Sequence, residues 1–373
     1  MSKSAIVVGA GILGIATARA LAVRGYAVKV FERHEQCVGA SIRNFGMVWP
    51  IGQPGGMLYE RAMYSREIWR ESCVQAGIWF NPCGSLLNVY EEDELAVVEE
   101  FVAMNKGYRE ATLLTAEETL QKSSVVNATG LKGALWSPAE MIIDPREAIS
   151  RLPVYLTARY GVAFYFGRTI HHIAYPAVYS GDEVHKADLI FVCSGTDFET
   201  LYPELLRKCE ITKCKLQMMR TVPQPTDYII GPALCGGLTL THYASFVGCP
   251  SLGKLQNRIL QEMPEYVKWG IHVLISQNGL GEITIGDSHE YGLAPDPFDR
   301  QDINRLILRY LDRFAKIRQP KIAQTWHGLY AFKKGESDCV LSPESGVTIL
   351  NGLGGAGMTL SFGLADEIIS KAL

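Results

Sequence analysis

Close to the start of the chain an apolar run over residues 4–9 ends in glycine, and Gly9, Gly11 and Gly14 then follow a Gly-x-Gly-x-x-Gly spacing. Residues 12–24 read as a helix stopped by Gly25, and residues 27–31 as a second apolar strand that ends at Glu32. After a buried strand the three glycines have separate tasks. Gly9 allows a tight turn, Gly11 leaves the backbone bare for a pyrophosphate to approach, and Gly14 lets the helix pack against the strand. The helix start adds free N–H groups and partial positive charge. Glu32 is placed to accept hydrogen bonds from both hydroxyls of an adenosine ribose, and its charge repels a 2′-phosphate, which disfavours NADP. The whole predicts a dinucleotide-binding βαβ unit of about 30 residues.

A chain of 373 residues exceeds what one hydrophobic core usually holds, so two domains are expected. Residues 39–56 form a loop rich in Gly and Pro, residues 58–76 a helix closed by Gly77, residues 81–90 a strand and residues 91–106 an acidic helix. Thr115 and Glu118 have the spacing of a capping box. Asp144 before Pro145 opens a helix that runs to residue 160, which Pro153 is expected to bend or interrupt. Residues 187–193 form an apolar strand running into Ser194 and Gly195, and residues 213–286 read as strand-rich. An amphipathic helix over 299–314, a strand over 347–350, a second glycine turn at 352–357 and a helix over 358–372 complete the chain. Dinucleotide-type βα features thus stand at the beginning, middle and end, with strand-rich segments between. This predicts an α/β protein of two discontinuous domains: residues 1–80, 142–212 and 322–373 in a Rossmann-like domain with a parallel sheet, and residues 81–141 and 213–321 in a strand-rich α+β domain.

A net charge of −3 leaves no excess of Lys and Arg to neutralise phosphates, which argues against nucleic acid as a partner. The nine cysteines are odd in number and scattered, without a Cys-x-x-Cys pair, as expected of reduced thiols. No apolar stretch reaches the ~20 residues of a membrane span. The apolar run over 5–22 reads as strand, turn and helix rather than an export signal, so a cytoplasmic location is expected. His171 and His172 are adjacent on a strand and point to opposite faces, so no metal is expected there or elsewhere.

The first glycine turn does not separate FAD from NAD, but the second one does. A second helix N-terminus can stabilise the negative charge that a reduced flavin carries near N1 and O2, and NAD chemistry has no such need. Together with residues 41–46, 187–195, 282–286, 326–329 and 352–359, the first turn and Glu32 resemble the D-amino acid oxidase family of flavoproteins over nearly the whole chain. The resemblance implies a glutathione-reductase-like FAD-binding fold. It places Ala10, Ile12, Leu13 and Arg33 around the dinucleotide with the glycines and Glu32. It sets Ser41, Arg43, Asn44, Phe45 and Gly46 over the pyrophosphate and flavin, and the backbone near Ile170 against the adenine. Ser194 and Gly195 approach the cofactor, and Gly352, Gly354, Gly355, Gly357, Met358 and Thr359 meet the isoalloxazine. Covalent members of the family attach FAD through a cysteine after a Gly-Leu-Arg-like motif. Cys339 does not match that position, so non-covalent FAD is expected.

The resemblance also implies the chemistry. A C–H next to a neutral nitrogen gives hydride to flavin N5, the imine hydrolyses, and oxygen or another acceptor removes the electrons. Amino-acid oxidases of the family usually carry Gly-Leu-Arg-Pro, whose arginine forks a substrate carboxylate. This chain has Gly328, Leu329, Tyr330 and Ala331 instead. Residues 44–53 and 286–291 resemble a subgroup associated with aminophosphonate breakdown, which implies 2-aminoethylphosphonate or an N-methylated or hydroxylated relative as substrate. Arg43, Ser288, His289, His327 and Tyr330 are the candidate donors to the phosphonate, with Met47 and Trp49 lining the site. His242 and Tyr243 are either pocket or edge residues. Oxidation of glycine, sarcosine or D-amino acids, oxidation of a 2-hydroxy acid, and a flavin-binding sensor without turnover stay open.

Overall fold

The computed structural model describes residues 3–372. Strand Ser4–Val8 lies inside a six-stranded sheet, paired in parallel with Ala27–Phe31 on one side and Leu189–Val192 on the other. Ala163–Tyr165 and Val347–Asn351 extend the parallel part, and Cys339–Glu344 closes one edge antiparallel. Both faces are covered, which is why these strands read as continuous apolar runs rather than alternating ones. Ala5 and Val7 face a core built with helices Ile12–Ala22, Met57–Ala76, Pro145–Tyr160 and Gly357–Ala372. Ile6 and Val8 face the opposite side, where they meet Ile173 and Val178 from a small antiparallel sheet over His172–Ala174, Ala177–Ser180 and Glu183–Lys186.

The second large sheet has nine strands and its own core. Its longest ladder pairs Thr212–Thr221 with Ile322–Phe332, antiparallel along nearly the full length of both. The stretch 322–332, expected with the dinucleotide unit, is therefore hydrogen-bonded into this sheet, and the chain returns to the six-stranded sheet only at Cys339–Glu344. Three further local expectations change. The strand expected over 81–90 divides into Phe80–Asn81 and Ser85–Val89. Between them Gly84, at φ +69°, lies so close to Trp136 and the Ser137 carbonyl that a Cβ has no room. Within the strand-rich stretch 213–286, Leu252–Glu262 is a helix, because Leu252, Leu255 and Ile259 recur at helical spacing and bury one face. Pro145–Tyr160 runs through Pro153 without a break, with Pro153 buried.

The Thr115–Glu118 capping box forms, with Glu118 N–H donating to Thr115 Oγ1 at 3.2 Å and Thr115 N–H donating to Glu118 Oε2 at 2.8 Å. Asp144 caps the helix that begins at Pro145 by accepting from Arg146 N–H at 2.9 Å. Among the described residues no helix is long and apolar enough to cross a membrane.

Trp69 fixes Met57–Ala76 to the closing helix Gly357–Ala372. It is fully buried, donates from Nε1 to the Met358 carbonyl at 2.7 Å, and meets Phe362 edge-on at 5.0 Å. Trp69→Ala is expected to cost about 3–5 kcal/mol, the usual loss for truncating a buried aromatic. The shift of the urea midpoint checks this, and Trp69→Phe should fall between the two.

Candidate active site

The parallel strands of the six-stranded sheet all stop along one edge, and a cleft begins there. Beyond Ser4–Val8 the chain turns at Gly9, at φ +103°, where a Cβ would lie 2.3 Å from the Cys193 carbonyl oxygen. A Cβ at Gly14 would lie 1.9 Å from the Gly9 carbonyl oxygen, so only glycine lets the helix start this close to the strand end. Ser41 reaches over from the loop after the second strand, and its Oγ accepts the Ile12 N–H at 2.9 Å. Glu32 is pinned at the end of Ala27–Phe31, accepting Ala10 N–H at 2.9 Å and His34 N–H at 3.1 Å. Arg33 pairs with Asp197, which also accepts from the Ser194 hydroxyl through its carbonyl at 2.9 Å. Asn351 ties the remaining strand ends together: it donates to the Gly195 carbonyl and accepts the Gly352 N–H, each at 2.8 Å. The cleft is lined by Glu32, Arg33 and Ile170 beside the first glycine turn, and by Tyr330, Gly352, Gly354 and Gly357 beside the second.

Tyr330 connects this cleft to a group of polar side chains carried by the larger sheet. Its hydroxyl lies 3.7 Å from the Cβ position of Gly355, and its ring 6.5 Å from that of His289. His289 follows strand Ile283–Gly286, His272 precedes Leu274–Gln277, and His242 follows the turn Gly237–Thr241. The three imidazoles form a stack, with ring centres 3.7 Å apart for His242–His272, 4.6 Å for His242–His289 and 5.2 Å for His272–His289. His289 donates from Nδ1 to the Gly270 carbonyl at 2.9 Å, a hydrogen bond that leaves the Nε2 lone pair free. Asp287 places Oδ1 3.3 Å from His272 Nε2 and Oδ2 4.0 Å from His289 Nε2. That is ion-pair reach without hydrogen-bond geometry, and His272 Nδ1 and Asp287 Oδ1 are both buried without a partner in the protein.

Burial disfavours every charged form here. It pushes His242 and His272 well below the ordinary imidazole value and His289 down to about 4. It lifts Asp287 and Tyr330 well above their ordinary values. His242 keeps much of its surface accessible although its ring lies against that of His272, so the group of rings is open on this side.

A family model described as FAD dependent oxidoreductase matches residues 4–370. The chain belongs to this family. A stretch of 212 residues is 24% identical to the tRNA 5-methylaminomethyl-2-thiouridine biosynthesis bifunctional protein MnmC of Nitrosospira multiformis, covering 53% of this chain and 33% of that protein. The chain thus spans about a third of the length of this relative. L-proline dehydrogenase from P. horikoshii has a similar fold, with a TM-score of 0.78 over 99% of this chain and 94% of that one at 20% identity. Glycine oxidase from Geobacillus kaustophilus gives 0.78 over 100% and 95% at 17% identity. At these identities the likeness speaks for the fold.

The cleft of this FAD-dependent oxidoreductase suits its cofactor. Bare backbone at Gly11 meets only Ser41 Oγ, 3.1 Å from the Cβ position, so the helix start is open to a pyrophosphate. Glu32 lines the cleft at the end of the neighbouring strand, and the start of Gly357–Ala372 lines it from the other side, where a helix N-terminus adds positive potential. Gly9, Ile12, Leu13, Gly14, Ser41, Ser194 and Gly195 line the same cleft. Others named from the sequence stand behind it. Ala10 N–H is taken up by Glu32. Asn44 stitches its own loop, donating to Ala40 and Ser41 carbonyls and accepting Gly46 N–H at 2.7 Å. The Phe45 carbonyl accepts from Ser276, tying the loop to the larger sheet. Met358 holds Trp69, and Thr359 Oγ1 accepts the Trp49 N–H at 3.0 Å.

The residues expected around the substrate do not all converge. Tyr330 lines the cleft and its ring meets that of His289 edge-on, and the Trp49 ring stands 6.4 Å from that of Tyr243. Met47 is buried in the core of the larger domain. Ser288 points away from His289, as neighbours on extended backbone do, and its Oγ accepts the Gln217 N–H at 3.1 Å. His327 lies three residues before Tyr330 on one strand, hence on the other face, and pairs with Asp299 at 2.8 Å. Arg43 donates to the His327 carbonyl at 3.3 Å. Asp287 and His272 were not singled out. Alternation from His289 signals Asp287 and Tyr291 on its face, whereas nothing local signals His272.

Gly11→Val is expected to abolish FAD binding, since the side chain would occupy the phosphate approach. Purified variant with undiminished flavin absorbance would remove this turn from the cofactor site.

Proposed function

We propose that this oxidoreductase oxidises a small primary or secondary amine, an aminoalkylphosphonate, in the cavity between Tyr330 and the histidine stack. The observation that carries the reading is what stands beside the second glycine turn. Where amino-acid oxidases of the family carry an arginine for a carboxylate, this chain has Tyr330, with the His289 ring beside it and His242, His272 and Asp287 next to His289. Bound FAD supplies the two-electron acceptor. The substrate carbon next to nitrogen loses a proton and two electrons as C=N forms. Water then adds to that carbon and releases ammonia or methylamine, leaving the phosphonoaldehyde. The electrons leave to oxygen or another acceptor.

The protein's own groups bind, orient and keep the substrate amine neutral. Tyr330, held protonated by burial, offers one O–H donor beside the glycine turn. His289 presents the lone pair of Nε2 beside it, because Nδ1–H is committed to Gly270. Tyr330, Asp287 and His289 are each less than a tenth exposed, which limits the access of water. In this reading FAD is held non-covalently. Cys339 is buried and its thiol is pushed up to about 11, mainly by burial.

Anaerobic mixing of the yellow holoenzyme with a substrate panel tests the reading. Rapid bleaching by 2-aminoethylphosphonate or its N-methyl derivative, and not by glycine, sarcosine or D-alanine, is expected. Bleaching by the carboxylates or by 2-hydroxy acids alone would overturn the substrate class, and bleaching by nothing would leave a sensor. Tyr330→Arg should raise kcat/KM for carboxylate amines relative to phosphonates by about tenfold, the scale of a charge-assisted hydrogen bond. Unchanged selectivity would take Tyr330 out of the site.

A further inference from the structure

The histidine stack poses an electrostatic problem that the oxidation alone does not explain. Three imidazoles from three separate chain segments meet beside one carboxyl group, with His272 and His289 buried and His242 exposed. Among the described residues Asp287 lies in ion-pair reach of His272 and His289 and of no Lys or Arg. Titratable groups around them include Tyr243 on the His242 loop, Asp287, Glu290 and Tyr291 on Glu290–Gly292, Tyr330 on Ile322–Phe332 and Cys214 on Thr212–Thr221. Glu140 acts on Tyr243 from behind. All of these become neutral or negative on titration, never positive. An anion brought into such surroundings without a countercharge would be strongly disfavoured.

We propose that His242, His272 and His289 form the subsite for the substrate's oxyanion group, and that they supply its countercharge by taking up a proton when the anion binds. The proposal rests on the reading of this cavity as the substrate site. The geometry supports it in three ways. His272 Nδ1 is a buried ring nitrogen with no partner in the protein. His242 is exposed, so the group of rings can be reached from outside. One ring can carry an added proton while its stacked neighbours stay neutral, whereas three charges so close together would repel. A metal ion held by the three rings fits the geometry less well, although their ligand atoms lie within 4.8 Å of one another. An imidazole lone pair lies in the ring plane, and planes only 22° apart at a ring distance of 3.7 Å cannot both aim at one ion.

The sign of the pH dependence follows from linkage. With the site empty the imidazoles are uncharged near neutrality, His289 titrating at about 4. A bound anion raises that value. Between the empty and the bound values one proton enters with each anion, so affinity falls about tenfold for each unit that pH rises.

Holoenzyme titrated with ethanesulfonate tests this, because that probe keeps one charge at every pH used and carries no ammonium proton to give. Flavin absorbance reads the binding, and calorimetry in two buffers of different ionisation heat reads the protons. Uptake of about one proton per anion is expected, with Kd rising about tenfold per pH unit from about pH 6 to 8. His272→Asn and His289→Asn should each reduce the uptake and flatten the profile. Binding without proton uptake, a Kd that does not change with pH, no binding of ethanesulfonate at all, or stoichiometric Zn(II) binding that His272→Asn removes would each overturn the proposal. The wild-type measurement needs no variant to fold. Amine oxidation without proton-linked anion binding would sink this subsite alone, and proton-linked binding without oxidation of any amine would sink the proposed function alone.

Discussion

Parallel pairing of strand Ser4–Val8 with neighbours on both sides is the constraint on which the site depends. Parallel strands all end along the same edge, so Gly9, Glu32, Cys193 and Gly352 arrive together although they are far apart in the chain. The contact between Gly9 and the Cys193 carbonyl then sets how closely these ends approach, and it leaves no room for a Cβ. The two helices that follow the glycine turns start at this edge and aim their N-termini into one cleft, where open α/β sheets bind their ligands.

The larger sheet contributes a different kind of surface. Its long ladder carries Tyr330 to the second glycine turn, and the ends of shorter strands and turns bring His242, His272, Asp287 and His289 to the same place. None of these groups gains from being charged there, because burial outweighs the available hydrogen bonds. In the proposed reading, neutral polar groups beside the flavin suit an amine that reacts as the free base, and an anionic substrate group would draw in a proton as it binds.

Local periodicity made much of the scaffold legible. The first helix and its glycine turn, the Thr115 capping box, the Asp144 cap and the closing turn and helix are signalled by residues close in sequence, and they form as the pattern indicates. The helix Leu252–Glu262 was hidden by surrounding glycines and prolines despite its helical spacing. The placing of residues 322–332 depended on a partner about a hundred residues away, which no local pattern names.

The amino-acid sequence by itself determined the dinucleotide turn, the acidic residue at the next strand end and the second glycine turn, because each is set by backbone freedom and short spacing. Only the tertiary structure decided which polar side chains face one another. It turned Ser288 and His327 away and set His242, His272 and Asp287 beside His289, because strand pairing fixes which face each side chain occupies and which distant loop end it meets.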